Sequence, residues 1–244
     1  MDLQDMTFAD IHCHVLYDVD DGAKNEEMMQ KLIDAEYEEG VRYLCFTPHY
    51  HPGYYGYNGA SSEQAFANAV EYCKKYPDMS LMLANELHYA PECLSWLKEK
   101  ICHRIGHTRF VLVDFNEAEE ERTIVMGLSR FINAGYIPIL AHAERYGNLK
   151  VGTVKVLRQD GILVQINSGS CFGDFGVKAG VKAKKLLAKK MVDFVSTDAH
   201  DLDDRAPQFK KVYQYIEKKY GQGYAGFICR DHAVELFFDQ RKEI

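Results

Sequence analysis

The chain has 244 residues, a formal net charge of −7, seven cysteines and ten histidines, and is 47% hydrophobic and 27% charged. That composition is globular and excludes disordered and fibrous classes, and no apolar run approaches the ~18 residues that span a bilayer. The acidic start Met1-Asp2-Leu3-Gln4-Asp5 lacks the regions of a signal peptide, and the scattered cysteines form no Cys-x-x-Cys pair. A disulfide framework, a zinc knuckle and a basic nucleic-acid footprint are thereby disfavoured, which leaves a cytoplasmic enzyme or binding domain without membrane insertion.

Seven short apolar, β-rich runs alternate with seven helical patterns. The run at 8–12 is followed by a helix over 25–39, with Asn25 as N-cap and Gly40 at its stop. The run at 42–46 leads into an irregular segment, 47–61, in which Tyr50, Tyr54, Tyr55 and Tyr57 stand among glycines. This segment reads equally as a surface turn or as an aromatic lid over a site. A helix over 62–76, capped by Ser62, precedes the run at 81–86, and Pro91 suits the first turn of a helix over 91–100. Runs at 110–114, 137–141, 162–166 and 193–197 then alternate with helices over 118–134, 149–160, 176–190 and 205–220, with Gly135 stopping the first of these. Residues 224–244 form a C-terminal extension, helical from Asp231. Strict βα alternation with continuous apolar strands implies parallel strands buried on both faces, and seven units favour one barrel domain over residues 1–244.

Each strand except the sixth ends in a polar pair spaced i, i+2: His12 and His14, His49 and His51, Glu86 and His88, Asp114 and Asn116, His142 and Glu144, Asp198 and His200. The sixth ends Asn167-Ser168-Gly169. Residues two apart on a strand point the same way, so in a parallel barrel these pairs converge on one mouth. Clustered carboxylates would repel one another and lose hydration unless cations neutralise them, and imidazole with carboxylate suits Zn, Mn or Fe. A multinuclear metal site is the expectation. His103, His107 and His232 are expected at surface or capping positions, with His51 and His88 in supporting or incidental ones. Asp18-Val19-Asp20-Asp21-Gly22 is not a calcium loop, because Tyr17 stands where the first ligand would be.

Asp10-Ile-His-Cys-His14, Asp18-Val-Asp-Asp-Gly22, Thr47-Pro-His49, Glu86, Ala141-His-Ala-Glu-Arg-Tyr146 and Ser196-Thr-Asp-Ala-His-Asp-Leu202 together resemble the PHP (polymerase and histidinol phosphatase) superfamily. Within it they resemble the bacterial capsule-type, manganese-dependent protein tyrosine phosphatases. The resemblance implies an α/β fold, a distorted (β/α)7 TIM-like barrel, and three divalent metal ions, manganese foremost with iron or zinc as alternatives. It implies that His12, His14, Glu86 and Asp198 hold one metal, that Glu86, Asp114 and His142 hold a second, and that Asp21, His49 and His200 hold a third. Arg145 and Arg205 match the family's phosphate-binding arginines. Asp114 stands where these phosphatases usually have glutamate, and Arg230-Asp231 replaces an Asn-Pro.

The implied reaction is attack of a metal-bridging hydroxide on phosphotyrosine, with His200 a candidate acid for the leaving group. The implied substrate is the tyrosine-rich tail of a bacterial tyrosine kinase controlling capsule or exopolysaccharide synthesis. Three divalent ions would reduce the chain's charge from −7 to −1 and make the site cationic inside an acidic shell. A cysteine-based phosphatase needs arginine six residues after its thiol. Those positions here are Val19, His51, Met79, Glu99, Thr108, Val177 and Glu235. Alternatives are another PHP phosphoesterase, such as a histidinol-phosphate phosphatase, and a nuclease or polymerase-associated PHP module. Against the last, Lys178, Lys182, Lys184, Lys185, Lys189 and Lys190 sit at helical spacing and read as a solvated helix face rather than a nucleic-acid track.

Overall fold

A computed structural model describes residues 6–54 and 59–239. β1 (Phe8–Cys13), β2 (Val41–Phe46) and β4 (Ser80–Leu83) form one parallel sheet. β3 (His49–Tyr50), β5 (Glu86–His88), β6 (Phe110–Asp114), β7 (Ile137–Leu140), β8 (Leu163–Asn167) and β9 (Phe194–Ser196) form a second. The expected run at 42–46 is β2, with β3 resuming after Thr47-Pro48, and the run at 81–86 is split by Ala84-Asn85 into β4 and β5. At the far edge, Asp198 N donates to His12 O (2.8 Å) and His14 N to Ala199 O (2.9 Å), tying the end of β1 to the segment after β9.

The helices follow the strands: α1 (Glu26–Glu38), α2 (Gly59–Tyr72), α3 (Cys93–Lys98), α4 (Glu121–Asn133), α5 (Val151–Gln159), α6 (Gly176–Ala188) and α7 (Phe209–Tyr220). Asn25 caps α1 as expected, its side chain accepting from Met28 N. Ser62 does not cap α2. That helix starts three residues earlier, at Gly59, and Ser62 is buried within it. Tyr55 and Tyr57 lie outside the described residues, Tyr50 is buried, and Tyr54 is exposed. On α6, Lys178, Lys184 and Lys185 face solvent, with Lys189 and Lys190 exposed just beyond its end, whereas Lys182 is half-buried and donates to Tyr146 O.

Two apolar layers result. One lies between the strands and the surrounding helices and includes Leu32, Ile33, Leu128, Val164 and Leu187. The other lies on the inner face of the strands, where Ala9, Ile11, Cys45, Ala84, Leu112, Ile139 and Phe194 meet Ala233 and Phe237. The C-terminal segment is helical from Gln222 rather than Asp231, α8 (Gln222–Gly226) widening into π-type turns at Phe227–Asp231 and Val234–Phe238. Gly221 (φ +95°) breaks the chain from α7, and the buried stripe Ala225, Ile228, Cys229, Ala233, Phe237 draws the new helix inward. Phe237 packs its ring against Phe110 (5.0 Å) and Phe194 (5.6 Å) at one end of the inner face. The opposite end carries the polar pairs.

Candidate metal centre

Three backbone irregularities aim the ligands. In β1 the register shifts between Asp10 and Cys13. Ile11 therefore stays in the inner apolar layer while the next residue, His12, reaches the polar cluster, as a bulge permits. His142 (φ +30°) and Asp198 (φ +54°) adopt left-handed backbone where β7 and β9 end, a conformation that costs on the order of 1 kcal/mol or more outside glycine. At Gly22 only a glycine fits, since a Cβ there would overlap the His14 carbonyl. This close approach folds the Asp20-Asp21 loop back over the end of β1.

The imidazoles are held from outside the cluster, which settles which nitrogen faces inward. His14 Nδ1 bonds Asp20 Oδ2 (2.7 Å), His12 Nδ1 bonds Gln165 Oε1 (3.2 Å), and His200 Nδ1 bonds Asp198 O (2.9 Å). With Nδ1–H the donor in each case, the Nε2 lone pairs face inward, and those of His12 and His14 stand 3.2 Å apart. Around them lie Glu86 Oε1 at 3.3 Å from His12 Nε2, Glu86 Oε2 at 3.3 Å from His14 Nε2, and Asp198 Oδ1 at 3.5 and 3.4 Å from the two. Facing lone pairs and buried carboxylates with no cation between them are unfavourable, and a divalent ion satisfies all of them. The donor set therefore fits metal.

Donor atoms gather in three groups, each within 4.8 Å: His12, His14 and Asp198; His12, Glu86 and His142; His14, Asp21, His49 and His200. Glu86 spans them, with His142 Nε2 at 2.8 Å from Oε1 and His49 Nδ1 at 2.7 Å from Oε2. Asp21 Oδ1 lies 3.4 Å from both His49 and His200 Nε2. Eight of the nine expected ligands thus converge. Asp114 stands apart, its carboxylate meeting His88 Nδ1 at 3.0 Å.

The electrostatics match this arrangement. Burial alone would raise Glu86 and Asp198. His12 and His49 around Glu86, and His12 and Arg205 around Asp198, instead hold both carboxyls well below the usual range. Burial disfavours a charged His12, yet Glu86 and Asp198 raise it. Burial and the neighbouring His14 push His200 down to about 4, leaving a neutral imidazole suited to ligation rather than proton donation.

Two guanidiniums border the same carboxylate. Arg205 Nη2 lies 2.7 Å from Asp198 Oδ1, and Arg145 Nη1 lies 3.2 Å from Oδ2 while Glu117 holds its other edge. Both arginines line a cleft of about 750 Å³. The site as a whole presents metal-ligating atoms beside two guanidiniums, whose planar forks match the geometry of an oxyanion.

The family model for capsular polysaccharide synthesis, CpsB/CapC, matches residues 8–237, a span containing every residue of this site. The chain belongs to the CpsB/CapC family. The tyrosine-protein phosphatase CpsB of Streptococcus pneumoniae is 30% identical over 239 residues, 95% of this chain and 98% of that protein. A chain from the crystal structures of YwqE from Bacillus subtilis and CpsB from Streptococcus pneumoniae, metal-dependent tyrosine phosphatases, aligns at a TM-score of 0.85. It is 25% identical and 95% of each chain is covered. Histidinol phosphate phosphatase from Lactococcus lactis shares the fold at a TM-score of 0.58 and 15% identity, over 91% of this chain and 94% of that one.

Sequence reasoning passed over several supporting residues of this CpsB/CapC chain. Gln165 bonds both His142 N (2.6 Å) and His12, and its amide donates to Asn167 (2.9 Å), which in turn donates to Asp198 Oδ2 (2.6 Å). The available signal was a lone amide within the apolar run Leu163-Val-Gln-Ile-Asn167, which must find partners if buried. Asp20 was legible only as a neighbour of Asp21. Asp10 accepts from the backbone N–H groups of His12 and Thr197, joining the strands that carry two ligands. Glu144 turns away from the ligands to Asn167 N (2.9 Å) and Ser170 Oγ (2.5 Å). Of the three histidines expected outside the site, His232 is half-buried and stacks on the rings of Phe194 (4.9 Å) and Phe227 (4.5 Å). All seven cysteines are buried and unpaired, and burial raises every thiol pKa, so none is poised as a nucleophile. No described helix is long and apolar enough to cross a membrane.

Proposed function

We propose that this chain is a metal-dependent protein-tyrosine phosphatase, a phosphoric monoester hydrolase whose substrate is the phosphorylated tail of a bacterial tyrosine kinase acting in capsule or exopolysaccharide synthesis. The observation that carries the reading is the pairing of Arg145 and Arg205 on Asp198, a carboxylate that also faces the Nε2 atoms of His12 and His14. Anion-binding cations and metal-ligating atoms then serve one reacting group. The similarity to CpsB and YwqE supports tyrosine phosphatase chemistry over other uses of such a site.

Three divalent ions are the proposed complement, manganese foremost. His12, His14, Glu86 and Asp198 would hold the first and Glu86 and His142 the second, which Asp114 would complete by turning its carboxylate from His88. Asp21, His49 and His200 would hold the third. When bound, such ions supply Lewis acidity and activate water at neutral pH. The chain's own residues do the rest. Arg145 and Arg205 grip the phosphoryl oxygens and offset the charge that grows on them. Gln165, Asp20 and the Asp198 carbonyl keep the imidazole tautomers fixed, so the ligating nitrogens need no rearrangement. The phenolate of a tyrosyl ester is a weak enough base to leave with little protonation, consistent with a neutral His200. The same reading takes the seven strand units, joined from β9 to β1, as a distorted (β/α)7 barrel domain over residues 1–244, closed at one end by Ala233 and Phe237 of the C-terminal segment.

Metal analysis of the purified protein, combined with hydrolysis rates on a phosphotyrosine peptide, histidinol phosphate and an oligonucleotide, tests this. About three metals per chain, chelator-sensitive turnover and a preference for the peptide are expected. Faster turnover of histidinol phosphate would replace the substrate assignment, and activity surviving metal removal would overturn the mechanism.

A further inference from the structure

Between the 3₁₀ turn Ser168–Phe172 and α6 the chain makes a tight turn over residues 173–176. Gly173 (φ +101°) and Gly176 (φ +85°) take left-handed backbone at its two corners, and Gly176 N donates to Gly173 O (2.8 Å). Asp174 anchors it from the side by accepting from Gln208 Nε2 (2.6 Å). The turn holds out Phe175, whose ring centroid lies 5.0 Å from the Arg145 guanidinium carbon and 5.8 Å from that of Arg205. One ring therefore serves both guanidiniums, and their cation–π contacts fix where it stands. Phe175 also lines the 750 Å³ cleft and a second of about 640 Å³ on the other side of Arg145. Among the described residues lining either cleft it is the only aromatic. Tyr54, stacked on His51 at 5.1 Å, which in turn stacks on His88 at 3.9 Å, belongs to the Asp114 side and lines neither.

We propose that Phe175 is the platform for the substrate's aryl group, which makes the cleft beside Arg145 and Arg205 an aryl-phosphate subsite; this rests on the phosphatase reading given above. Once the two guanidiniums fix the phosphoryl oxygens, the organic part of the ester must extend into the space they border. The rigid apolar surface there is the Phe175 ring. Aromatic rings pack favourably with centroids about 4.5–7 Å apart, a contact that an alkyl ester forgoes. Phe175 then selects aryl over alkyl esters without touching the reacting atoms.

The test uses the metal-loaded enzyme and two non-hydrolysable anions that differ only in the organic group, phenylphosphonate and methylphosphonate, as competitive inhibitors of wild type, Phe175→Leu and Phe175→Trp. Phe175→Leu is expected to weaken phenylphosphonate by roughly three- to tenfold while leaving methylphosphonate within about twofold, and Phe175→Trp to retain the preference. Equal weakening of both anions would mean that Phe175 acts only by placing the arginines, and no change in either would mean that the ring lies elsewhere. Both results overturn the subsite. Wild-type rates separate this from the broader reading. If the phosphotyrosine peptide is the preferred substrate and the inhibitor ratio does not move, only the role of Phe175 falls. If the peptide is not preferred, the phosphatase assignment falls first.

Discussion

The two ends of the inner face are built by the same strands and could hardly differ more. At one end Phe110 and Phe194, whose strands end in Asp114 and lead to Asp198, close against Phe237 of the C-terminal segment. At the other, His12, His14, Glu86, His142 and Asp198 crowd together. Alternation along a parallel strand delivers both, since one face read in steps of two is carbon for two or three residues and then becomes imidazole or carboxylate. The apolar end repays burial by itself. The polar end is favourable only with cations present, and two of its ligands sit on left-handed backbone. Stability is thus concentrated at one end and function at the other, and substitutions should separate them.

Asp198→Ala gives the largest expected effect. It removes a ligand that also seats Arg145 and Arg205, and activity should fall by about 10³-fold or more while the far end stays packed. Turnover at saturating Mn²⁺ and thermal unfolding, measured on the same preparation, check it. A loss of folding equal to that of a core variant would break the division. Phe237→Ala is the mirror case. Removing a buried ring should cost about 3 kcal/mol of stability, read from denaturant unfolding, with kcat/KM of the folded enzyme little changed.

Gln165→Leu sharpens the boundary between the two ends. It is buried, keeps roughly the side-chain volume, and removes the acceptor for His12 Nδ1 and His142 N. Metal affinity should drop by about 10- to 100-fold, as measured by metal titration, with activity recovering as the metal concentration is raised. If affinity holds but activity does not recover, Gln165 orients something other than the ligands.

How far the sequence discloses such a site depends on what kind of geometry sets it. Strand periodicity disclosed both members of the pairs His12–His14 and Asp198–His200 and the first members His49, Glu86 and His142, whereas His88 meets Asp114 and Glu144 turns to Ser170. It did not disclose the shift in β1 that lets His12 follow Ile11 inward, nor the left-handed turns at His142 and Asp198, because these depart from the regular period. Gln165 and Asp20 were missed because a residue that orients a ligand carries no spacing rule of its own. Asp114 was named as a ligand by resemblance, and its contact with His88 depends on a neighbouring strand. The C-terminal helix begins nine residues before the expected Asp231, because Gly221 ends α7 and the next helix starts directly at Gln222.

The smallest predicted effect lies at the joint between the two regions. Asp10 and Glu36 are fully buried beneath the ends of β1 and β9, where Thr197 Oγ1 hydrogen-bonds both. Burial raises Asp10 to about 6, and burial together with the Asp10 charge raises Glu36 well above its usual range. Both groups therefore take up protons on folding. Their stabilisation is fully present below the carboxylate values of the unfolded chain, near 4, and is lost as pH rises through about 6 and beyond. Each proton taken up contributes a slope of roughly 1.4 kcal/mol per pH unit across its own window. Saturating Mn²⁺ keeps the cluster imidazoles from titrating; the Asp10 contribution then falls between pH 4 and 6, and the Glu36 contribution extends above it. Glu36→Gln keeps an amide able to donate to Asp10 and should flatten that slope. An unchanged slope would place the proton uptake at groups other than Glu36, such as His88 beside Asp114, and remove the joint from the account of pH-dependent stability.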